Sequence, residues 1–120
     1  MALELYMVGL IAQDMDKSVE FYRRLGVGFP DGRAGQPHVE AKMNGGLTFF
    51  LNARGRMEEL DAARVILEFY LKERAAVDAK YSELIGFGYE SYHAPYVASI
   101  GMYFALVNDP DGNTILLSAD

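Results

Sequence analysis

Cysteine and tryptophan are both absent from this chain of 120 residues, and histidine occurs only twice. Without cysteine the chain has no disulfide, no thiolate metal site and no cysteine nucleophile, and its redox compartment stays undetermined. Basic residues are in the minority, because 11 of them face 17 acidic residues and leave a net charge of −6. An acidic chain repels phosphate backbones, so we expect no nucleic-acid partner.

Long apolar runs are also missing. The apolar run near the start, residues 5–12, is too short to cross a membrane and follows Glu4 rather than a basic residue. We interpret it as a buried strand, expect no membrane partner and take the cytoplasm as the default location. The chain is 51% hydrophobic and 23% charged. This balance is typical of a globular domain, and the length suffices to bury a core unaided.

The first half reads as a strand, a helix and three further strands. A helix over about residues 16–25 is predicted by the apolar stripe Met15, Val19 and Tyr22, with Asp14 or Asp16 as its cap and Gly26 after its end. The remaining predicted segments are a strand over 3–12, a short strand over 27–30, a loop over 31–37, and a hairpin of 38–43 and 47–52 around a turn at 44–46.

The second half repeats this order. The predicted segments are a strand over 64–71, a helix over 75–84 followed by Gly86, a short strand over 88–92, a loop over 95–101, and a hairpin of 102–107 and 114–118. A repeat of roughly 60 residues indicates a duplicated module. We therefore expect a single domain, with module 1 at about 1–52, a linker at about 53–62 and module 2 at about 63–120.

Two motifs give the repeat a family resemblance. One runs from Asp14 through Ser18, Phe21-Tyr22 and Leu25-Gly26, and the other is the turn Asn-Asp-Pro-Asp-Gly-Asn at 108–113. Their order and separation resemble the vicinal oxygen chelate superfamily, which includes glyoxalase I, bleomycin-resistance proteins, fosfomycin-resistance enzymes and extradiol dioxygenases. The resemblance implies an α+β fold in which two βαβββ modules form a curved mixed sheet around a cleft. It also implies a homodimer.

The same resemblance places the family's metal ligands on unsuitable residues. Its ligand positions fall at Met7, at Phe50, near Val65 or Ile66, and at Leu116. None of these is an ordinary ligand for Zn, Ni, Mn or Fe. His38 and His93 lie away from these positions, and a lone histidine on a strand is usually structural rather than a metal ligand. We therefore expect no metal and no other cofactor, and whether the protein is an enzyme stays open, with the balance against it.

Strand alternation predicts which side chains face the cleft. In the strand that opens module 2, Leu67, Phe69 and Leu71 should face the helix, so Ile66, Glu68 and Tyr70 should face the cleft. Other strands add Leu5, Met7, Gly9, Ile11, Thr48, Phe50, Asn52, Thr114, Leu116 and Ser118. Tyrosines crowd the second half, and we expect Tyr92, His93 and Tyr96 on a loop beside the cleft. Tyrosine suits ligand recognition, but it also simply favours strands.

The candidate ligand-binding residues are Met7, Phe50, Glu68, Tyr70, Tyr92, His93, Tyr96, Tyr103 and Leu116. They favour a metal-free protein of the bleomycin-resistance type that sequesters an aromatic, cationic, antibiotic-like small molecule, with Glu68 as the anchor for the cation. One alternative is a metal-dependent lyase, isomerase or dioxygenase with an atypical ligand set such as Glu68 with His93. Another is metal-free catalysis with Glu68 or His93 as general base.

Overall fold

A computed structural model describes residues 6–30, 35–56 and 64–120. The predicted strand residues 3–5, part of the loop over 31–37 and most of the linker over 53–62 lie outside the described residues. The chain divides into two compact units, Met1–Arg64 (unit 1) and Val65–Asp120 (unit 2). No described helix has the length and apolar character needed to cross a membrane.

Unit 1 is a three-stranded sheet with one helix. Its elements are β1 (Met7–Ala12), α1 (Met15–Leu25), β2 (His38–Lys42) and β3 (Thr48–Ala53), and β3 lies in the centre, parallel to β1 and antiparallel to β2. The Asp14 side chain accepts a hydrogen bond from the Lys17 N–H, and Gly26 ends the helix with a φ of 122°. Both ends of α1 therefore follow from the capping residues that predicted them.

The core of unit 1 lies between α1 and the sheet. Met15, Val19 and Tyr22 of the predicted stripe are all buried. The Tyr22 ring meets Phe49 of β3 edge to face, with centroids 5.1 Å apart, and it also meets Phe29. Such perpendicular aromatic pairs add to the free energy that burial alone provides.

The short strand predicted over residues 27–30 is not formed. Val27 and Phe29 are buried, but this segment has no strand pairing within the described residues. The Phe29 N–H instead bonds to the Val27 carbonyl at 2.9 Å, which closes a local turn. The two apolar side chains thus enter the core without a strand ladder. The described part of unit 1 thus has one strand fewer than unit 2.

Unit 2 is a four-stranded sheet with one helix. Its elements are β4 (Ile66–Tyr70), α2 (Arg74–Gly86), β5 (Glu90–Val97), β6 (Tyr103–Asn108) and β7 (Thr114–Ala119), in the sheet order β4-β7-β6-β5. β4 is parallel to β7, and the other pairs are antiparallel. Its fully buried apolar side chains are Val77, Leu84, Ala105, Val107, Ile115, Leu117 and Ala119.

Two boundaries in unit 2 differ from the predictions. Helix α2 includes Gly86, and Gly88, at a φ of 96°, follows its C-cap Phe87. Strand β5 continues to Val97, so Tyr92, His93 and Tyr96 lie on a strand rather than on a loop. Two register shifts between β5 and β6 accommodate the extra residues, and Pro95 falls within the second shift. Pro95 does not end the strand, because bulges on edge strands tolerate proline.

The turn at 108–113 closes the β6–β7 hairpin through buried side chains. One oxygen of Asp109 accepts hydrogen bonds from the Asp111 and Asn113 N–H groups at 2.9 and 2.8 Å, and the other accepts from Asn113 Nδ2. Asn113 Oδ1 in turn accepts from the Val65 N–H. This motif therefore ties the final hairpin to the residue before β4.

Candidate ligand-binding site

In each unit, strand register shows which side chains share the sheet face opposite the helix; we call this the far face. In unit 2, Glu68 pairs with Leu116 and Tyr70 pairs with Ser118. Leu116 and Ser118 pair in turn with Leu106 and Phe104 of β6, and these pair with His93 and Tyr96 of β5. Strand alternation predicts the same far-face residues for β4 and β7. Consistent with it, Leu67 and Phe69, which are expected to face the helix, are the half-buried residues of β4.

Glu68 and Tyr70 form an acidic group on the edge strand β4. Glu68 is exposed, and its carboxylate accepts a hydrogen bond from Ser118 Oγ at 2.8 Å. The Tyr70 hydroxyl donates to an Asp120 carboxylate oxygen at 2.7 Å, and this hydrogen bond raises the pKa of Tyr70. Tyr70 is 50% exposed and Ile66 is 70% exposed. The Glu68 carboxylate therefore lies between two exposed side chains, one aliphatic and one aromatic.

An aromatic group lies at the opposite edge of the same face. The His93 and Tyr96 rings are 4.0 Å apart between centroids, and Tyr96 meets Phe104 edge to face at 6.1 Å. His93 Nδ1 lies 2.6 Å from the Ala94 carbonyl, so this nitrogen carries a proton and donates. Glu68 and His93 are separated by three strand spacings, roughly 14 Å. They therefore cannot bind one metal ion within a single chain.

Two predicted residues of unit 2 do not join these groups. Tyr103 lies on the face that packs against α2, where its hydroxyl donates to Asp78 at 2.6 Å and the Arg74 guanidinium lies 5.2 Å from the ring centroid. The hydrogen bond to Asp78 raises the pKa of Tyr103. Tyr92 is 64% exposed and lies at the first register shift of β5. Tyr92 directly precedes His93 in the sequence, and this adjacency alone relates it to the aromatic group.

The far face of unit 1 holds Met7 and Phe50, both half-buried. Phe50 pairs with Gly9 across the parallel β1–β3 ladder, and a Cβ at Gly9 would overlap its ring. The His38 ring lies 5.3 Å from the Phe50 ring at an angle of 34°. Gly9 is therefore the residue that allows Phe50 to lie flat on the sheet, and Phe50 offers an aromatic surface there.

Beside Phe50 lies a polar group that sequence reasoning missed, formed by His38, Glu40, Asn52 and Arg56; we call it the His38 cluster. His38 Nε2 lies 2.8 Å from Glu40 Oε2, and its Nδ1 lies 2.7 Å from Asn52 Oδ1 and 2.8 Å from Arg56 Nη1. The hydrogen bond from His38 lowers the pKa of Glu40. Alternation in β2 could have placed His38 and Glu40 on one face, but nothing in the sequence brings Arg56 to them.

The four positions at which the resemblance expects metal ligands are equivalent by register. Met7 pairs with Thr48 as Ile66 pairs with Thr114, and Phe50 pairs with Gly9 as Leu116 pairs with Glu68. They carry a thioether, two aliphatic side chains and a phenyl ring, which do not fit a hard or borderline divalent ion. In the described ranges no group of three or more His, Asp or Glu side chains could hold a metal ion.

Solved structures with the same architecture are known. A glyoxalase-related enzyme from Fulvimarina pelagi aligns with a TM-score of 0.84 and 18% identity, over 99% of this chain and 89% of that one. The chain has the vicinal oxygen chelate fold. The predicted α+β, glyoxalase/bleomycin-resistance-like class is therefore confirmed. No protein-family model matches the sequence, and no curated protein matches it.

Other proteins with the vicinal oxygen chelate fold differ in what they do. The bleomycin resistance determinant encoded on transposon Tn5 aligns with a TM-score of 0.65 and 25% identity, over 98% of both chains. Lactoylglutathione lyase from Agrobacterium tumefaciens aligns with a TM-score of 0.73 and 21% identity, over 97% of this chain and 92% of that one. The same fold thus occurs in an enzyme and in a resistance determinant. The fold alone therefore does not assign a function, and the far-face residues have to distinguish the two.

Proposed function

We propose that this protein binds and sequesters a bulky aromatic cation of the antibiotic type on the far face of unit 2, without a metal ion. The observation that carries the proposal is Glu68, an exposed carboxylate between Ile66 and Tyr70 on a sheet face that ends in an aromatic edge. The resemblance to the Tn5 bleomycin resistance determinant supports the same reading.

The chemistry of Glu68 suits a cationic group. A carboxylate has about four acceptor positions, and Ser118 Oγ uses one of them. An ammonium or guanidinium group that donated to the others would form charge-assisted hydrogen bonds, which are shorter and stronger than neutral ones. The half-buried Leu106 and Leu116 lie between the carboxylate and the aromatic edge. A ligand that buried about 200 Å² of apolar surface against them would gain about 5 kcal/mol before the costs of association.

The test is a calorimetric titration with 9-aminoacridine, a planar cation, and with bleomycin. Glu68→Gln should raise the Kd at least tenfold, because it removes the charge but keeps the shape. Glu73→Gln is the matched control, since Glu73 is exposed, makes no side-chain capping bond in α2 and carries the same charge. Equal affinity of the two variants, or no binding to the unmodified protein, would reject the proposal.

We propose that the protein is a homodimer. Supporting this, unit 2 exposes large apolar side chains outside the cation site that a second copy could cover, namely Val65, Val97 and Ile100. Sedimentation equilibrium should give twice the chain mass of 13.4 kDa. A monomer at micromolar concentration would contradict this part of the proposal.

A further inference from the structure

The His38 cluster and Phe50 lie on unit 1 and have no part in the proposed cation site. We propose that Arg56, together with Phe50, forms a separate binding site for an aromatic carboxylate. The inference does not depend on the function proposed for unit 2, because it rests on other residues and on the opposite charge. It predicts a class of ligand that an acidic chain would otherwise be expected to repel.

Arg56 is held in place by its own turn. The Arg56 N–H donates to the Ala53 carbonyl at 3.1 Å, and Gly55 between them has a φ of 91°. The turn brings the guanidinium back onto β3, where Nη1 donates to Asn52 Oδ1 at 2.7 Å. Asn52 is only 2% exposed, so its amide is a fixed point. One nitrogen of the guanidinium is therefore positioned before any ligand arrives.

The partners of Arg56 in the cluster leave its charge available. His38 Nε2 lies 2.8 Å from Glu40 Oε2, and Arg56 Nη1 lies 2.8 Å from His38 Nδ1. The carboxylate of the cluster is thus occupied by His38, and no ion pair joins Arg56 to any of the described residues. Arginine has five N–H donors in a planar fork that matches the two oxygens of a carboxylate. The Nε and Nη2 groups are suited to that bidentate contact.

An aromatic surface adjoins this cation. Phe50 lies flat over Gly9, and the His38 ring inclines toward it. Offset stacking of a ligand ring on Phe50 would place a carboxyl substituent beside the cluster, within reach of the guanidinium. The combination of one planar apolar surface and one planar cation selects a planar ligand with an anionic end, which is why we assign an aromatic carboxylate rather than an inorganic anion.

The experiment is a titration of the full chain with 2-naphthoate, followed by ¹H–¹⁵N NMR and calorimetry at low salt. Arg56→Gln should raise the Kd at least tenfold, which equals about 1.4 kcal/mol. The Kd of Arg56→Lys should lie between those of the unmodified protein and Arg56→Gln, because lysine keeps the charge but lacks the planar guanidinium fork. Arg54→Gln is the matched control, since Arg54 is exposed, lies in the same turn and carries the same charge. It should leave the Kd unchanged.

A neutral probe separates charge from stacking. 2-Naphthalenemethanol should bind the unmodified protein and Arg56→Gln with equal affinity, whereas Phe50→Leu should weaken both probes. Far-UV circular dichroism tests whether each variant is folded. If Arg56→Gln is unfolded, the Kd of Arg56→Lys for 2-naphthoate is compared with that of Arg54→Gln instead. No binding of 2-naphthoate, or equal affinity of the Arg56 and Arg54 variants, overturns the inference.

The two proposals fail independently. If 9-aminoacridine binds in a Glu68-dependent way and 2-naphthoate does not bind, the carboxylate site is wrong and the cation site stands. If 2-naphthoate binds through Arg56 and the cation does not bind, the reverse holds.

Discussion

At the scale of single residues, Gly9 decides whether the aromatic surface of unit 1 can exist. Any Cβ at this position would overlap the Phe50 ring, so a larger residue must displace that ring from the sheet. Its counterpart in unit 2 is Glu68, which pairs with Leu116 as Gly9 pairs with Phe50. At this equivalent position, glycine in unit 1 makes room for an aromatic ring, whereas glutamate in unit 2 provides a charged side chain.

Gly9→Ala should therefore destabilise the protein by about 1–3 kcal/mol, the usual cost of overpacking. The measurement is the free energy of unfolding in urea. Gly28→Ala is the control, because a Cβ at Gly28 would meet no atom within 4 Å and its φ is not positive. If Gly9→Ala were as stable as Gly28→Ala, the described position of the Phe50 ring would be incorrect.

The pair of His38 and Glu40 gives stability a specific dependence on acid. Because the hydrogen bond from His38 lowers the pKa of Glu40, the folded state favours the ionised carboxylate. This contribution is present above the ordinary carboxyl pKa, about 4.3, and it disappears as the pH falls through the lowered value. Glu40→Gln should lose that contribution at neutral pH, so its unfolding free energy should fall less than that of the unmodified protein between pH 6 and pH 3.

The measurement is urea unfolding at several pH values, with Glu73→Gln as the control for loss of one exposed negative charge. Parallel pH profiles of the Glu40 variant and the unmodified protein would contradict the assigned hydrogen bond.

At the scale of elements, the turn at 108–113 joins local conformation to tertiary structure. Asp109 satisfies three donors, two of which belong to the buried Asn113, and Asn113 in turn accepts from the Val65 N–H. A change at Asp109 therefore affects both the β6–β7 hairpin and the start of β4.

Asp109→Ala should cost about 2–4 kcal/mol, since it leaves buried donors of Asn113 without an acceptor. Urea unfolding measures the loss. Asn44→Ala, in the exposed turn between β2 and β3, is the comparison and should change stability by less than about 0.5 kcal/mol. An equal effect of the two variants would show that the Asp109 bonds contribute nothing beyond the turn itself.

The elements also show which predictions a sequence can support. Helix α1 was predictable because a cap, an apolar stripe and a terminal glycine agreed on the same segment. Residues 27–30 were not predictable, because apolar residues in a short segment indicate burial and say nothing about whether another strand is available for pairing. The end of β5 was missed because its register shifts depend on β6, so Pro95 appeared to terminate a strand that in fact continues.

The candidate site divides in the same way. Alternation placed Glu68, Tyr70 and Leu116 on one face, since a period of two is a local property of each strand. It could not show that Tyr103 bonds to Asp78 of α2 or that Glu68 and His93 lie at opposite edges, because these depend on strand order and register. Arg56 escaped notice because its position depends on a turn and a rotamer.

At the scale of the whole molecule, the two units share a plan and differ in charge. Both have a first strand parallel to the last strand of the unit, with a helix between. The far face of unit 1 carries two basic residues, Lys42 and Arg56, beside one acidic residue, Glu40, whereas that of unit 2 carries Glu68. The faces that pack against the helices are thus apolar in both units, and the opposite faces differ. We expect the two units to recognise groups of opposite charge, as the two titrations above would measure.

The irregular course of β5 has a consequence for solubility. Among the described strands, β5 forms one edge of its sheet, and unpaired backbone groups on an edge could recruit a strand from another molecule and start aggregation. Pro95 lacks an N–H, and two bulges interrupt the spacing that a regular partner strand requires. The two bulges, which contain Tyr92 and Pro95, therefore protect this edge. A second copy would have to dock through side chains, because it could not extend the sheet at β5.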